Sequence, residues 1–138
     1  MALQGKGMFI WKIPRCENGN PSAIASLAKS ANFSHVLVKI ADGTVIYNGD
    51  WGISTDLVTP LVKALRAQGL QVWGWHYVYG DNPLKEAQVA IQRIKQFNVD
   101  GYVIDAEEQY KESGKKEAAK QFMKELRTAL PNLTIALS

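Results

Sequence analysis

The sequence predicts an α/β fold built on a parallel sheet. Short apolar runs recur roughly every thirty residues, as strand-helix-strand units require. Between successive runs lie longer stretches with apolar residues at spacings of three and four, and Pro, Gly, Asn and Asp mark the junctions. Runs apolar on both faces suit strands covered on both sides, and parallel neighbours need a crossover of about helical length.

Residues 8–13 (MFIWKI) read as the first strand, ended by Pro14, and residues 15–20 as a loop rich in Asn and Gly. Pro21-Ser22 opens a helix whose apolar positions are Ile24, Leu27, Ala28 and Ala31. Residues 36–40 are rich in β-branched side chains and form the second strand, punctuated by Asp42-Gly43. Ser54 or Thr55 caps the second helix, where Leu57, Val58, Leu61, Val62 and Leu65 make one stripe and Gly69 the stop. Pro60 is tolerated there only near the first turn. Residues 71–79 form a third strand, and the helix after Asp81-Asn82-Pro83 buries Ala87, Ala90, Ile91, Ile94 and Phe97. Residues 102–107 are the fourth strand. Residues 115–130 are the fourth helix, with Ala119, Phe122, Met123, Leu126 and Leu130 inward, and residues 133–137 begin a fifth strand.

Two architectures fit this alternation. A doubly wound five-stranded sheet needs about this length, whereas a complete eight-stranded barrel needs about 250 residues. The chain stops at Ser138 without a helix to cover the fifth strand, and Pro14-Arg15-Cys16 replaces the glycine-rich loop of a nucleotide-binding sheet. We therefore expect one domain over residues 1–138, the N-terminal half of a (β/α)8 TIM barrel, (βα)4β, in truncated form. Its open sheet edges call for self-association or a missing C-terminal half.

With 138 residues, 46% hydrophobic and 21% charged, the composition is globular, and no segment approaches the ~20 apolar residues of a membrane span. The first six residues show no secretory leader. The net charge of +3 is scattered over helix faces, and Lys115-Lys116 is balanced by Glu112 and Glu117, so no nucleic-acid stripe is expected. A lone Cys16 and two distant histidines give neither a disulfide nor metal-ligand spacing, and no cofactor is expected.

The most informative segment is DGYVIDAE, residues 100–107. Side chains alternate along a strand, so Asp105 and Glu107 share one face while Tyr102, Ile104 and Ala106 take the other, helix-packing face. The two acids then point into a barrel at its C-terminal mouth, where such folds place their active sites. Two carboxylates in a partly desolvated site push one pKa upward, leaving a general acid, and acids of this spacing suit glycosidic bond cleavage. Glu108 points away into solvent.

Parity divides the third strand, VWGWHYVY, into Trp73, Trp75, Tyr77 and Tyr79 on one face and Val72, Gly74, His76 and Val78 on the other. The rings could stack on sugars in a cleft, or pack beneath the helices while the smaller set faces the interior. We take the second reading, which puts His76 inside either as a hydrogen-bonding or substrate-contacting residue or as a satisfied structural histidine, and keeps Trp75 and Tyr77 as candidate sugar contacts. Lys39 and Asp42 sit at the C-terminal end of the second strand, and a lysine there needs a carboxylate partner, Asp105 or Asp42. Lys39 is then either a structural ion pair or a substrate-positioning cation.

Asp100-Gly101 with Asp105 and Glu107 resembles the D-G-x-D-x-D-x-E motif of family eighteen chitinases, with Val103 in place of the middle aspartate. Residues 36–50 (VLVKIADGTVIYNGD) resemble the second-strand segment of family twenty-five muramidases. Gly74-Trp75-His76-Tyr77 is similar to that family's G-x-Y-H-F region and Asp105-Ala106-Glu107 to its D-x-E, all in the family's order. The resemblance implies a glycoside hydrolase of bacterial polysaccharide, peptidoglycan or chitin-like, with Glu107 as general acid and Asp105 as assisting or nucleophilic carboxylate. The first strand, FIWKI, lacks the acid of that family's G-x-D motif. An inactive carbohydrate-binding or structural barrel is therefore the alternative.

Overall fold

Helices begin where a side chain can accept their first free N–H groups. The computed structural model describes residues 3–49 and 56–138. In it Asn20 accepts from the Ala23 amide at 2.9 Å ahead of α1 (Pro21–Ser30), and Asn82 accepts from the Lys85 amide at 3.2 Å ahead of α3 (Pro83–Phe97). Each is followed by proline at the first helical position, where no N–H is missed. At the start of α2 (Val58–Ala67) Asp56 accepts from the Val58 amide at 2.9 Å. Ser54 and Thr55, expected to cap that helix, lie outside the described residues, as does Asp50. The last helix is α4 (Lys115–Ala129).

The strands are β1 (Gly7–Ile10), β2 (His35–Asp42), β3 (Val45–Ile46), β4 (Gln71–Val78), β5 (Gly101–Ala106) and β6 (Ile135–Leu137). The expected third, fourth and fifth strands are thus β4, β5 and β6. The extra β3 folds back antiparallel on β2, Ala41 facing Ile46, after the Gly43 turn at φ +55°. β1 is shorter than expected because Ile13–Arg15 turns into a 3-10 helix around Pro14. β5 ends one residue early, leaving Glu107 just beyond it with φ −111° and ψ −136°.

The five main strands lie side by side as β1-β2-β4-β5-β6, every neighbouring pair parallel and each strand following the last in chain order. One face of this sheet (Ile10, Val36, Val38, Ile40, Val72, Val78, Tyr102, Ile104) packs with residues of all four helices, among them Ile24, Leu61, Leu65, Ala87, Ala90, Ile94, Phe122 and Leu126. The other face gathers Leu37, Trp73, Trp75 and Val103, with Leu3, Tyr77 and Ala136, and no helix residue joins them. A doubly wound sheet reverses its strand order and carries helices on both faces; the described residues do neither. Leu27, expected on the buried stripe of α1, is 45% exposed, and Ala25 is buried.

Candidate active site on the face without helices

Register decides which side chains meet. Asp105 on β5 is the partner of Tyr77 on β4, which is the partner of Asp42 on β2. One row below, Val103, Trp75 and Lys39 are likewise aligned. Strand spacings of about 4.8 Å set Asp42 and Asp105 on either side of Tyr77, with Cα atoms roughly 10 Å apart. Lys39 and Asp42 are three apart and would take opposite faces of a regular strand. The register slips between Lys39 and Ala41, and this bulge brings both to one face.

Asp105 is half-buried and Glu107 exposed. Burial pushes the Asp105 carboxyl above its ordinary value; the charge of Glu107 and a hydrogen bond shared with it add to this, and Lys39 opposes it. Beyond Glu107 the chain enters a 3-10 turn (Glu108–Lys111), pinned over the row by the Tyr77 hydroxyl, which donates to Gln109 Oε1 at 2.8 Å. Glu108 is exposed and pairs with Lys111 at 2.5 Å, the solvated position expected of it.

Of the two carboxylates expected to pair with Lys39, Asp42 takes it: Nζ lies 2.5 Å from Asp42 Oδ2, with the lysine 3% exposed. The ammonium also sits 4.4 Å from the Tyr47 ring, 4.9 Å from Trp75, 5.4 Å from Trp11 and 6.0 Å from Tyr77. Aromatic faces replace part of the hydration that burial removes, so the cation is tolerated.

Parity divided β4 correctly, but the faces are the reverse of those expected. Trp73, Trp75 and Tyr77 lie on the face without helices, and His76 lies among the helices, fully buried, 6.3 Å from the Phe122 ring of α4. The reason is crowding. A Cβ at Gly74 would come within 2.5 Å of Ile40 Cδ1, so the helix side has no room for a row of large rings. His76 Nε2 is 2.8 Å from the Gly43 carbonyl, which can only accept, so that nitrogen carries the proton and Nδ1 accepts from the Tyr102 hydroxyl at 2.8 Å. Burial lowers its pKa to about 4, and it is a satisfied structural histidine rather than a substrate contact.

Four residues that hold the site were not singled out from the sequence. Tyr79, just past β4, donates its hydroxyl to Asp42 Oδ1 at 2.8 Å. Glu86, 1% exposed on α3, accepts from the Tyr79 and Gly80 amides, both at 2.8 Å. Asn48 accepts from the Ile13 amide at 2.9 Å and donates to the carbonyls of Trp11 at 2.8 Å and Lys39 at 2.9 Å, joining β1 to β2. Arg93 donates to the Ile40 carbonyl inside the bulge at 3.0 Å and to the Tyr47 carbonyl at 2.8 Å. A charged residue on the apolar stripe of α3, as Glu86 and Arg93 are, was the available signal, because burial there demands partners.

Among the described residues no three His, Cys, Asp or Glu side chains gather closely enough to hold a metal, and no helix is long and apolar enough to cross a membrane. The Cys16 thiol is pushed up by burial, then by Glu17, the direction that disfavours the thiolate. No protein-family model matches the chain, and no curated protein matches it.

Proposed function

We propose that this chain is a glycoside hydrolase-like domain that cleaves O-glycosidic bonds of a bacterial polysaccharide, peptidoglycan or chitin-like, with Asp105 and Glu107 as its working carboxylates. The observation that carries the reading is the row Asp42–Tyr77–Asp105 on the face without helices, above Trp75 and next to Glu107. The pair shares a hydrogen bond, and burial with the charge of Glu107 pushes the Asp105 carboxyl above its ordinary value, the direction acid catalysis favours. Glu107, exposed at the strand's end, is the member that reaches a glycosidic oxygen, while Asp105 assists it through their hydrogen bond. Tyr77, partly exposed, offers a ring face to a sugar beside the partly exposed carboxylate of Asp42, while Trp75 and Lys39 are buried in the row below. Strands in chain order with helices on one face suit the first five strands of a (β/α)8 barrel, whose catalytic groups stand at the C-terminal strand ends as these do.

A second reading has its own support. Phe9 on β1 and Trp11 just past it are 56% and 58% exposed, and that strand carries no acid, so the same face suits sugar binding without cleavage. Turnover separates the two. Incubated with peptidoglycan and with chitin, the protein should release reducing ends from one of them, and Glu107→Gln should abolish the release while leaving the far-ultraviolet circular dichroism unchanged. Binding of a glycan with no release by the unmodified protein would establish the second reading instead.

A further inference from the structure

The acids of the proposed site face a cation that is itself held from two further elements. Asp42 has one partner on each oxygen, Lys39 Nζ on Oδ2 at 2.5 Å and the Tyr79 hydroxyl on Oδ1 at 2.8 Å. Tyr79 is fixed in turn by its backbone. Its amide donates to Glu86 Oε2 on α3 at 2.8 Å, and its carbonyl accepts from Lys115 Nζ on α4 at 3.0 Å. The Gly80 amide takes the other Glu86 oxygen at 2.8 Å, and Lys115 also meets Asp81 at 2.7 Å. Those bonds hold the Tyr79 backbone from two helices, and its ring lies against Gly43 and 5.0 Å from the Tyr77 ring, so its hydroxyl is held in place at Asp42.

We propose that Tyr79 and Asp42 are positioning residues that fix the Lys39 ammonium on the sheet face beside Asp105, so that the carboxylate pair works against a cation held in one place. The proposal rests on reading Asp105 and Glu107 as the working pair. The groups facing Asp105 can be named strand by strand: Glu107 follows it, Tyr77 on β4 has its hydroxyl committed to Gln109, Lys39 and Asp42 stand on β2, and β6 brings no titratable side chain. Lys39 is the cation in this set and draws Asp105 toward ionisation, against burial and Glu107. Tyr79 contributes no charge of its own, because the hydrogen bond to Asp42, with burial and the Asp42 charge, pushes its hydroxyl up to about 12. Replacing it by phenylalanine therefore changes the field at Asp105 only if Asp42 and Lys39 move.

The experiment is a titration of the Asp105 side-chain carboxyl by carbon-13 NMR in the whole protein without substrate, so it reads out whether or not the protein turns over a glycan. Lys39→Met should raise the Asp105 midpoint, as loss of an opposite charge does, and Lys39→Arg should keep it near that of the unmodified protein. Tyr79→Phe should move the midpoint upward by less. If Tyr79→Phe leaves the midpoint unchanged while Lys39→Met raises it, the positioning chain is wrong; if Lys39→Met has no effect, the cation plays no part at the pair. Because Lys39→Arg and Tyr79→Phe are conservative, they report even if Lys39→Met fails to fold. Absence of glycan cleavage alongside the expected shifts would overturn the hydrolase reading and leave the positioning intact.

Discussion

His76 and Tyr102 are joined at 2.8 Å beneath the sheet, the tyrosine hydroxyl donating to Nδ1, on neighbouring strands where both side chains are fully buried. The bond exists only while the imidazole is neutral, and burial lowers its pKa from 6.5 to about 4. The unfolded chain therefore binds a proton over that window while the folded one does not, and stability falls as the pH drops from about 6.5 towards 4. The whole effect is about 3 kcal/mol. His76→Gln cannot titrate, so chemical denaturation at several pH values should show a shallower acid loss in the variant than in the unmodified protein. Equal acid slopes would mean that His76 is protonated in the fold.

Gly101 begins β5 directly over Trp73. An added Cβ would come within 2.5 Å of three atoms of the Trp73 ring, which is 1% exposed and has nowhere to go. Gly101→Ala should cost about 1–3 kcal/mol by overpacking, measured as a lower denaturation midpoint. Gly74→Ala is the informative comparison, since its new methyl group meets the flexible end of Ile40 and should cost less. A Gly101→Ala variant as stable as the unmodified protein would show that the indole shifts freely.

Much of this architecture was legible because strand and helix periods differ. The αβ alternation, the apolar stripes of α2 and α3, and the separation of Asp105 from Tyr102, Ile104 and Ala106, which pack with the helices, follow from spacing alone. What was not legible depended on contacts distant in sequence. Parity separates Trp75 from His76 but cannot say which of them meets the helices; the register Tyr77 to Asp105 and the tight approach of Gly74 to Ile40 decide that. The bulge between Lys39 and Ala41 was equally hidden, because it depends on Arg93 and on the Tyr47 amide, which both bond the Ile40 carbonyl from elsewhere in the chain. Tyr79 read as another strand aromatic because its partner Asp42 lies a whole strand-helix-strand unit away.

Glu107 and Glu108 are adjacent acids with different surroundings, and substitution distinguishes them. Glu108 is spent on an exposed ion pair with Lys111, worth at most about 1 kcal/mol, so Glu108→Gln should leave both turnover and stability near those of the unmodified protein. Asp105→Asn should lower kcat, because the amide cannot assist Glu107 as a carboxyl does. Loss of turnover in Glu108→Gln with Glu107→Gln fully active would place the wrong acid at the site.

The edges of the sheet bear on how the 138-residue chain behaves in solution. Within the described residues β1 pairs with β2 alone and β6 with β5 alone, so each presents a row of backbone donors and acceptors on its outer side. Large apolar side chains accompany these edges: Phe9 and Trp11 at β1 are 56% and 58% exposed, and Leu137 on β6 is 75% exposed. A second copy could pair with either edge and cover these groups at once, most simply about a two-fold axis. We expect light scattering on the chain at tens of micromolar, roughly the range where exposed edges associate, to give a mass above that of one copy. Placing charges at the edge by Phe9→Lys and Trp11→Lys should return it towards a monomer, since a lysine on an edge strand disfavours pairing. A monodisperse monomer for the unmodified chain, with the β6 amides protected from hydrogen exchange, would show that the sheet is closed on itself without a partner.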